Sequence, residues 1–337
     1  MTLEQEPALA GPSTTESEII SPIRRFLAER GSSALADKLF IGLMMMCAFS
    51  IFAIVIFIAY QLSVSSQLTL HKFGLSFFFK SAWDPVNENY GALPFIFGTL
   101  VTSFLALLIS VPLAIGVAVF ITEMCPQVLR TPLSFLTELL AAIPSVVYGL
   151  WALFVLSPLM RDYINPVLIK LLGWTGLFGG FNIGLSILTA GVILAIMILP
   201  IISSLTREVM SAVPHSQREA ALALGATRWE MIRIGVLRNA RIGIVGAVIL
   251  GLGRAMGETM AVTMVIGNSP TISKSLLAPG DTMASVLANQ FSEASDNMYL
   301  SALIEIGLAL FLVTIVVNAC ARLLVWVVTR GAPDATH

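Results

Sequence analysis

The sequence predicts an all-α integral membrane protein with six transmembrane helices. Three observations carry that expectation. Hydrophobic residues make up 57% of the 337-residue chain and charged residues only 12%, where a soluble domain carries about 25% charge. Mean hydropathy is +0.89. The apolar residues also gather into six runs, each near the roughly 20 residues that a helix needs to cross a bilayer. Backbone groups in lipid must be satisfied within the segment or by a closed barrel, and no run alternates with a period of two, so the spans are helices.

The runs lie at about 39–62, 94–122, 133–157, 183–206, 242–267 and 299–328. They divide the chain into an N-terminal tail with a possible interfacial helix (1–38), a six-helix transmembrane domain (39–330) and a C-terminal tail (331–337). Residues 1–20 are acidic and carry no basic region leading into a short apolar core, so they read as a tail and not a cleaved signal. With the N-terminus placed in the cytoplasm, thirteen lysines and arginines fall inside, among them Arg130, Arg207, Arg218 and Arg322. Five fall outside: Lys72, Lys80, Arg161, Lys170 and Lys274. That asymmetry sets both termini and the 207–241 loop on the cytoplasmic side.

Composition also excludes classes of function. A net charge of −1 does not suit a nucleic-acid binder. Cys47, Cys125 and Cys320, like His71, His215 and His337, are too scattered for a metal centre or a disulfide framework, so no metal site is expected. None of the five lysines follows a glycine, so a phosphate-cradling Walker A loop is absent and no bound cofactor is expected. Without a nucleophile–base set, the chain is not expected to be an enzyme.

Taken in order, the 63–93 loop holds LTLHKFGLSFFFKSAW, whose aromatics suit a helix at the headgroup level. The third run contains Ile143-Pro144-Ser145, where the proline breaks the hydrogen-bond ladder. That bend is either a plain kink or a broken helix lining a pathway, with Ser145 as its small polar group. The 158–182 segment is expected to lie along the outer surface, and the polar 268–298 loop to be a connector or a docking surface. Glu305 is expected to snorkel or to bond a neighbouring helix, and Glu138 to be structural.

The 207–241 loop has its own pattern. Ser216 with Glu219 and Thr227 with Glu230 have the spacing of capping boxes, with Gly225 between them at a helix end. This predicts two short helices joined by a tight turn, the first with a small-residue surface at Ala220, Ala221 and Ala223. Beyond it, Arg254 and Glu258 stand four residues apart in an apolar run, positioned to share a helix face and to pair. An isolated arginine at mid-membrane costs about 2.5–3.5 kcal/mol on insertion scales. An ion pair at ~4 Å returns about 4 kcal/mol at an effective dielectric of 20. The pair is therefore tolerable as structure alone, yet intramembrane charges usually line a pathway, and a guanidinium fork suits an oxyanion. Gly253 with Gly257, and Ala247 with Gly251, have small-xxx-small spacing for close helix packing.

These residues also carry a resemblance. Glu219, Ala220, Ala221, Gly225 and Leu237 match the EAA loop of ABC importer permeases, although Gly235 and Arg238 depart from that pattern. The runs GLGRAMGETMAVTMVIGN (251–268), IPSVVYG (143–149) and WDPVNENYGALPFIFGTL (83–100) resemble the permeases of the high-affinity bacterial phosphate importer, specifically the first of its two permease subunits. The resemblance implies a type I ABC importer permease fold in the bacterial inner membrane. It implies phosphate translocation through Arg254, Glu258, Thr259 and Ser145, and ATPase coupling through Glu219, Ala220, Ala221 and Gly225. Implied partners are a second permease subunit, an ABC ATPase dimer and an extracytoplasmic phosphate-binding protein. Two other readings stay open: a permease for sulfate or molybdate, and an ion-coupled transporter using Glu258 as proton carrier.

Overall fold

The computed structural model describes residues 33–180 and 182–330, so the expected tails at 1–20 and 331–337, and most of the interfacial helix at 21–38, lie outside the described residues. Six described helices are long and apolar enough to cross a membrane. They are α1 (Ser33–Ser65), α3 (Leu93–Met124), α5 (Ser145–Thr175), α6 (Ile187–Ser211), α8 (Arg228–Met256) and α11 (Asn297–Arg330). Shorter helices join them: α2 (Gln67–Phe73), α4 (Gln127–Ala142), α7 (His215–Ala223), α9 (Met260–Thr263) and α10 (Met283–Gln290). The chain divides into two compact units, Met1–Tyr60 and Gln61–His337. In the first, the apolar side chains of α1 are exposed along nearly its whole length.

The core of the second unit is built around α6. Ile187, Ile193, Leu194, Ile198 and Ile202 are buried there with Ala106 and Ala114 of α3 and Ala247 of α8. Alanine and glycine on the facing helices let the backbones approach, which is how helices pack when lipid supplies no hydrophobic driving force. A Cβ on Gly251 would stand 2.7 Å from Ile202 Cδ1, so the expected Ala247/Gly251 packing face is real. Gly253 has nothing within 4 Å of such a Cβ, so its half of the expected GxxxG contact is not formed.

The start of α6 is buried, and its four leading N–H groups need acceptors that the helix does not supply. Ser186 N donates to Val265 O at 3.0 Å, Ile187 N to Ala278 O at 3.2 Å and Leu188 N to Leu276 O at 2.9 Å. Thr189 N donates to Ser186 Oγ at 3.2 Å. The 264–282 chain is thereby held against the bundle interior. Within the 268–298 segment, expected to be a connector or a docking surface, residues 275–286 belong to the core, with Leu277, Met283 and Val286 fully buried and α10 capped by Thr282 and Ser285.

Two further expectations are corrected. The third span is not 133–157. Ile143 is extended (ψ 130°) and Pro144 stands at the cap position of the next helix, so the chain breaks into α4 and α5. The real span is α5, which takes up most of the segment expected to lie along the outer surface. Proline disfavours the αR conformation at the preceding residue, here Ile143, and hydropathy averaging cannot see that. The fifth span is not 242–267 either: α8 starts at Arg228 and ends at Met256. Beyond α2, the helix in the 63–93 loop, Trp83 and Tyr90 join an aromatic cluster. Tyr90 stacks on Tyr299 at 5.9 Å, and Trp83 meets Tyr90 and Phe95 edge-on at 5.1 and 4.9 Å.

Asp281, in the loop before α10, is 2% exposed. Its Oδ1 accepts from Thr282 N at 2.9 Å and from Ser285 Oγ, while Oδ2 is buried without a partner. Burial pushes its carboxyl up from 3.8 to about 6, and the two hydrogen bonds only partly oppose it. The folded state thus holds the proton more tightly than the unfolded one. This contribution to stability is largest below pH ~4, falls as pH rises to about 6 and is flat above. The total change is about 2–3 kcal/mol. Thermal unfolding from pH 4.5 to 8 is expected to show that decline, and Asp281→Asn is expected to remove this component of it.

Candidate functional site

Arg254 sits in the last turn of α8, which ends because Gly257 leaves helical geometry (φ −95°, ψ 2°). Glu258 therefore lies beyond the helix, and the expected i,i+4 pair does not form. Arg254–Glu258 is absent from the ion pairs within 4.0 Å among the described residues. Glu258 Oε1 instead accepts from Ala261 N at 3.4 Å, which places the carboxylate at the start of α9. Thr259 Oγ1 donates to Gly257 O at 3.3 Å, and its carbonyl accepts from Thr263, so Thr259 is also engaged in the turn.

Released from that pair, Arg254 is exposed on a cavity of about 900 Å3 between α6, α8 and α11. α8 contributes Gly246, Leu250, Gly253 and Arg254, and α11 contributes Thr314, Asn318 and Arg322. No carboxylate lines it. Thr314, Asn318 and Arg322 recur every four residues and so form one stripe on α11. The sequence reading missed this stripe. Its signal was polar residues at helical spacing inside the sixth apolar run.

Ser145 begins α5 immediately after the proline break, half-buried. Tyr148 bridges the break by donating its hydroxyl to Leu140 O at 2.8 Å. One turn into α5, a Cβ on Gly149 would stand 3.0 Å from Ala261 Cα, so the start of α5 packs directly on α9. The structure thus gathers the α5 start with the 258–263 turn. Arg254 faces the cavity, whose lining includes none of Ser145, Glu258 and Thr259.

The four candidate coupling residues lie together. α7 carries Glu219 and Ala220 exposed, and Ala221 packed against a cluster containing Met210, Ile232 and Val236. Gly225 turns the chain with φ +83°, a left-handed conformation that glycine alone adopts freely. Of the two expected capping boxes, Thr227 with Glu230 is formed: Thr227 N donates to Glu230 Oε2 at 2.8 Å. Ser216 with Glu219 is not, because α7 starts one residue earlier, behind Pro214, and Ser216 is already helical. The second helix of the expected pair is the beginning of α8 itself, through a widened i→i+5 turn at Met231–Leu237.

Arg218 was not singled out from sequence, yet it anchors α7. Its Nη2 lies 2.9 Å from Glu123 Oε1 and 2.9 Å from Met210 O, and Nη1 donates to Val213 O at 2.5 Å. Both side chains are nearly buried, at 12% and 7% exposure, so the pair has partners that exposed ion pairs lack. Glu138, expected to be structural, pairs with Arg207 at 2.6 Å. Glu305 neither snorkels nor bonds a neighbour. It is fully buried, and neither carboxylate oxygen has a hydrogen-bond partner.

Six helices of spanning length, a cavity that carries Arg254 and an anchored loop helix fit a membrane permease. Residues 110–331 match the family described as binding-protein-dependent transport system inner membrane component. The chain belongs to this family. It is similar to the phosphate transport system permease protein PstC of Mesorhizobium japonicum, with 45% identity covering 89% of this chain and 91% of that one. It is also similar to the protein of the same description from Haemophilus influenzae, with 47% identity covering 82% and 90%. Among solved structures, a chain of the inward-facing MetNI methionine ABC transporter is a loose likeness, with TM-score 0.47 and 17% identity over 68% of this chain and 93% of that one. The chain is a multi-pass inner-membrane component of a binding-protein-dependent transport system.

The departure of Gly235 from the EAA pattern has a packing reason. A Cβ there would stand 3.3 Å from Gln217 O and 3.8 Å from Ala221 Cβ, so glycine lets α7 lie directly on the start of α8. Gly235→Leu is expected to wedge the two apart at a cost of about 1–3 kcal/mol. Trypsin cleavage after Arg218, which is protected by its buried partners, should then accelerate by about tenfold. An unchanged rate would mean that the contact does not hold α7.

Proposed function

We propose that this chain is one of two permease subunits of an ATP-driven importer that carries inorganic phosphate into the cytoplasm. Membership in the binding-protein-dependent permease family and the phosphate-transport relatives support the reading. The observation that carries it at the level of chemistry is Arg254, a guanidinium without an ion-pair partner among the described residues, on a largely apolar cavity that no carboxylate lines. Its planar fork matches a tetrahedral oxyanion. Asn318, Thr314 and Arg322 extend the same polar wall along α11. Glu258, with Thr259, positions the turn after α8 and does not clamp the arginine, and Ser145 borders that turn.

In this reading the N-terminus and the loop carrying α7 face the cytoplasm. An ATPase dimer docks on the exposed face of α7 around Glu219 and Ala220, next to Gly225. A phosphate-binding protein delivers substrate at the opposite membrane face, and a second permease subunit completes the pathway. ATP hydrolysis belongs to the ATPase, and this chain needs no cofactor. Closure of the ATPase dimer displaces α7, and Arg218 passes that displacement to α3 and α6.

Radiolabelled phosphate uptake in cells lacking other phosphate importers tests the reading. Uptake is expected to survive a protonophore and excess sulfate, to vanish with Arg254→Ala, and to fall at least about tenfold with Arg254→Lys, because a point charge cannot make two parallel bonds. Block by sulfate would redirect the substrate to another oxyanion. Collapse with the protonophore while ATP is maintained would favour an ion-coupled carrier. Parent-level uptake by Arg254→Lys would remove the fork from the mechanism.

A further inference from the structure

A second polar cleft, of about 320 Å3, shares no residue with the Arg254 cavity. It lies where the end of α3, the first turns of α4 and the end of α6 meet. Apart from one isoleucine, its lining is entirely arginine, threonine and serine: Thr122, Arg130, Thr131, Ser134, Arg207 and Ser211.

Both arginines are held in place by other groups. Arg130 Nε donates to Ile121 O at 3.0 Å, and its Nη2 donates to Thr122 O. Arg207 Nη2 donates to Glu138 Oε1 at 2.6 Å, but Arg207 Nη1 is buried with no acceptor. Thr122 is 8% exposed, and its hydroxyl is likewise buried without a partner. Glu138 is 59% exposed and does not line the cleft. Buried polar groups are nearly always hydrogen-bonded, so an orphaned guanidinium N–H and an orphaned hydroxyl on two residues lining one cleft need an explanation. Between them the two guanidinium groups make one ion pair among the described residues, with Glu138, and the ring of hydroxyls offers donors but no fixed negative charge. A tetrahedral oxyanion supplies the missing acceptors and the missing charge together.

We propose that this cleft is a second binding site, taking a phosphate group between Arg207 and Arg130 with the Thr122, Thr131, Ser134 and Ser211 hydroxyls around it. Its position gives it a regulatory reach. Thr122 adjoins Glu123, which pairs with Arg218 of α7, and Ser211 adjoins Met210, whose carbonyl accepts from the same guanidinium. A bound phosphate group therefore ties α4 to α6 beside the anchor of the coupling helix. This regulatory role rests on the reading that the α7 end faces the cytoplasm. The binding site itself does not depend on what the protein transports. The phosphate can come from inorganic phosphate in solution or from a lipid headgroup, and both present the same group to the cleft.

Ser211→Cys in the full-length protein, purified with its co-purifying subunits, places a reporter in the cleft, and mass spectrometry of the maleimide-labelled peptide reads residue 211 alone. One arm uses nanodiscs of a phosphate-free galactolipid with added inorganic phosphate, the other uses phosphatidylglycerol nanodiscs without it, and the galactolipid nanodiscs alone set the unprotected rate. Labelling is expected to slow about tenfold at a ligand concentration about ten times the dissociation constant. Slowing in the first arm identifies free phosphate, and slowing in the second identifies a headgroup. Arg207→Gln is expected to abolish the protection and Arg254→Ala to leave it intact. If Arg207→Gln does not fold, Arg130→Gln decides in its place. Unchanged labelling in both arms overturns the proposal, as does protection that survives the arginine variants or depends on Arg254. Failed phosphate uptake with protection intact would sink the importer reading and leave this site standing.

Discussion

The buried N-terminus of α6 is the constraint on which the rest of the second unit depends. A helix starting inside a membrane domain presents four donors where no water can reach them, and each unpaired one costs several kcal/mol. Here the carbonyls of Val265, Leu276 and Ala278 take three, and Ser186 Oγ takes the fourth. In exchange the 264–282 chain gains partners that let it remain non-helical within the bundle. Irregular backbone at that depth survives only where protein surrounds it. The helix start and the irregular loop are therefore a single solution to one hydrogen-bonding problem.

That solution decides the geometry around Arg254. Because the chain after Met256 must reach α6 as loop, α8 stops at Gly257, and the residue four positions beyond Arg254 is carried off the helix face. The charge pair that i,i+4 spacing suggests is thus separated by the break. Glu258 becomes a turn residue, and Arg254 is left facing a cavity with the neutral and cationic stripe of α11. Two arginines, an asparagine and a threonine make a wall that attracts anions and presents donors to them.

Much of the fold was legible because hydropathy is a local property: all six spans are present, and Ala247 with Gly251 packs as its spacing suggests. The boundaries were less legible where one residue overrides a window average. Pro144 moved the third span from 133–157 to Ser145–Thr175, and Gly257 cut the fifth short. The capping signals divided for a similar reason. Thr227 follows a left-handed glycine and is free to stand outside the helix, whereas Ser216 follows Pro214, which itself takes the cap position. Arg254 was legible as a charge out of place. Thr314, Asn318 and Arg322 were not, because only the fold brings the α11 stripe opposite α8. The 276–286 core was hidden by its polarity, since Asp281, Thr282 and Ser285 satisfy one another inside the protein.

The Arg218 anchor gives the loop helix a mechanical role that a docking surface alone would lack. An exposed helix held by apolar contacts could rock on its support without moving it. Arg218 instead reaches two carbonyls at the end of α6 and a carboxylate at the end of α3, using three of its nitrogens. Breaking that set would strand buried donors and a nearly buried Glu123, which costs far more than an exposed pair returns. Force on α7 is therefore transmitted rather than dissipated. It enters the helix whose other end is fixed by the 264–282 loop, and that loop is joined through α9 to the end of α8 beside Arg254.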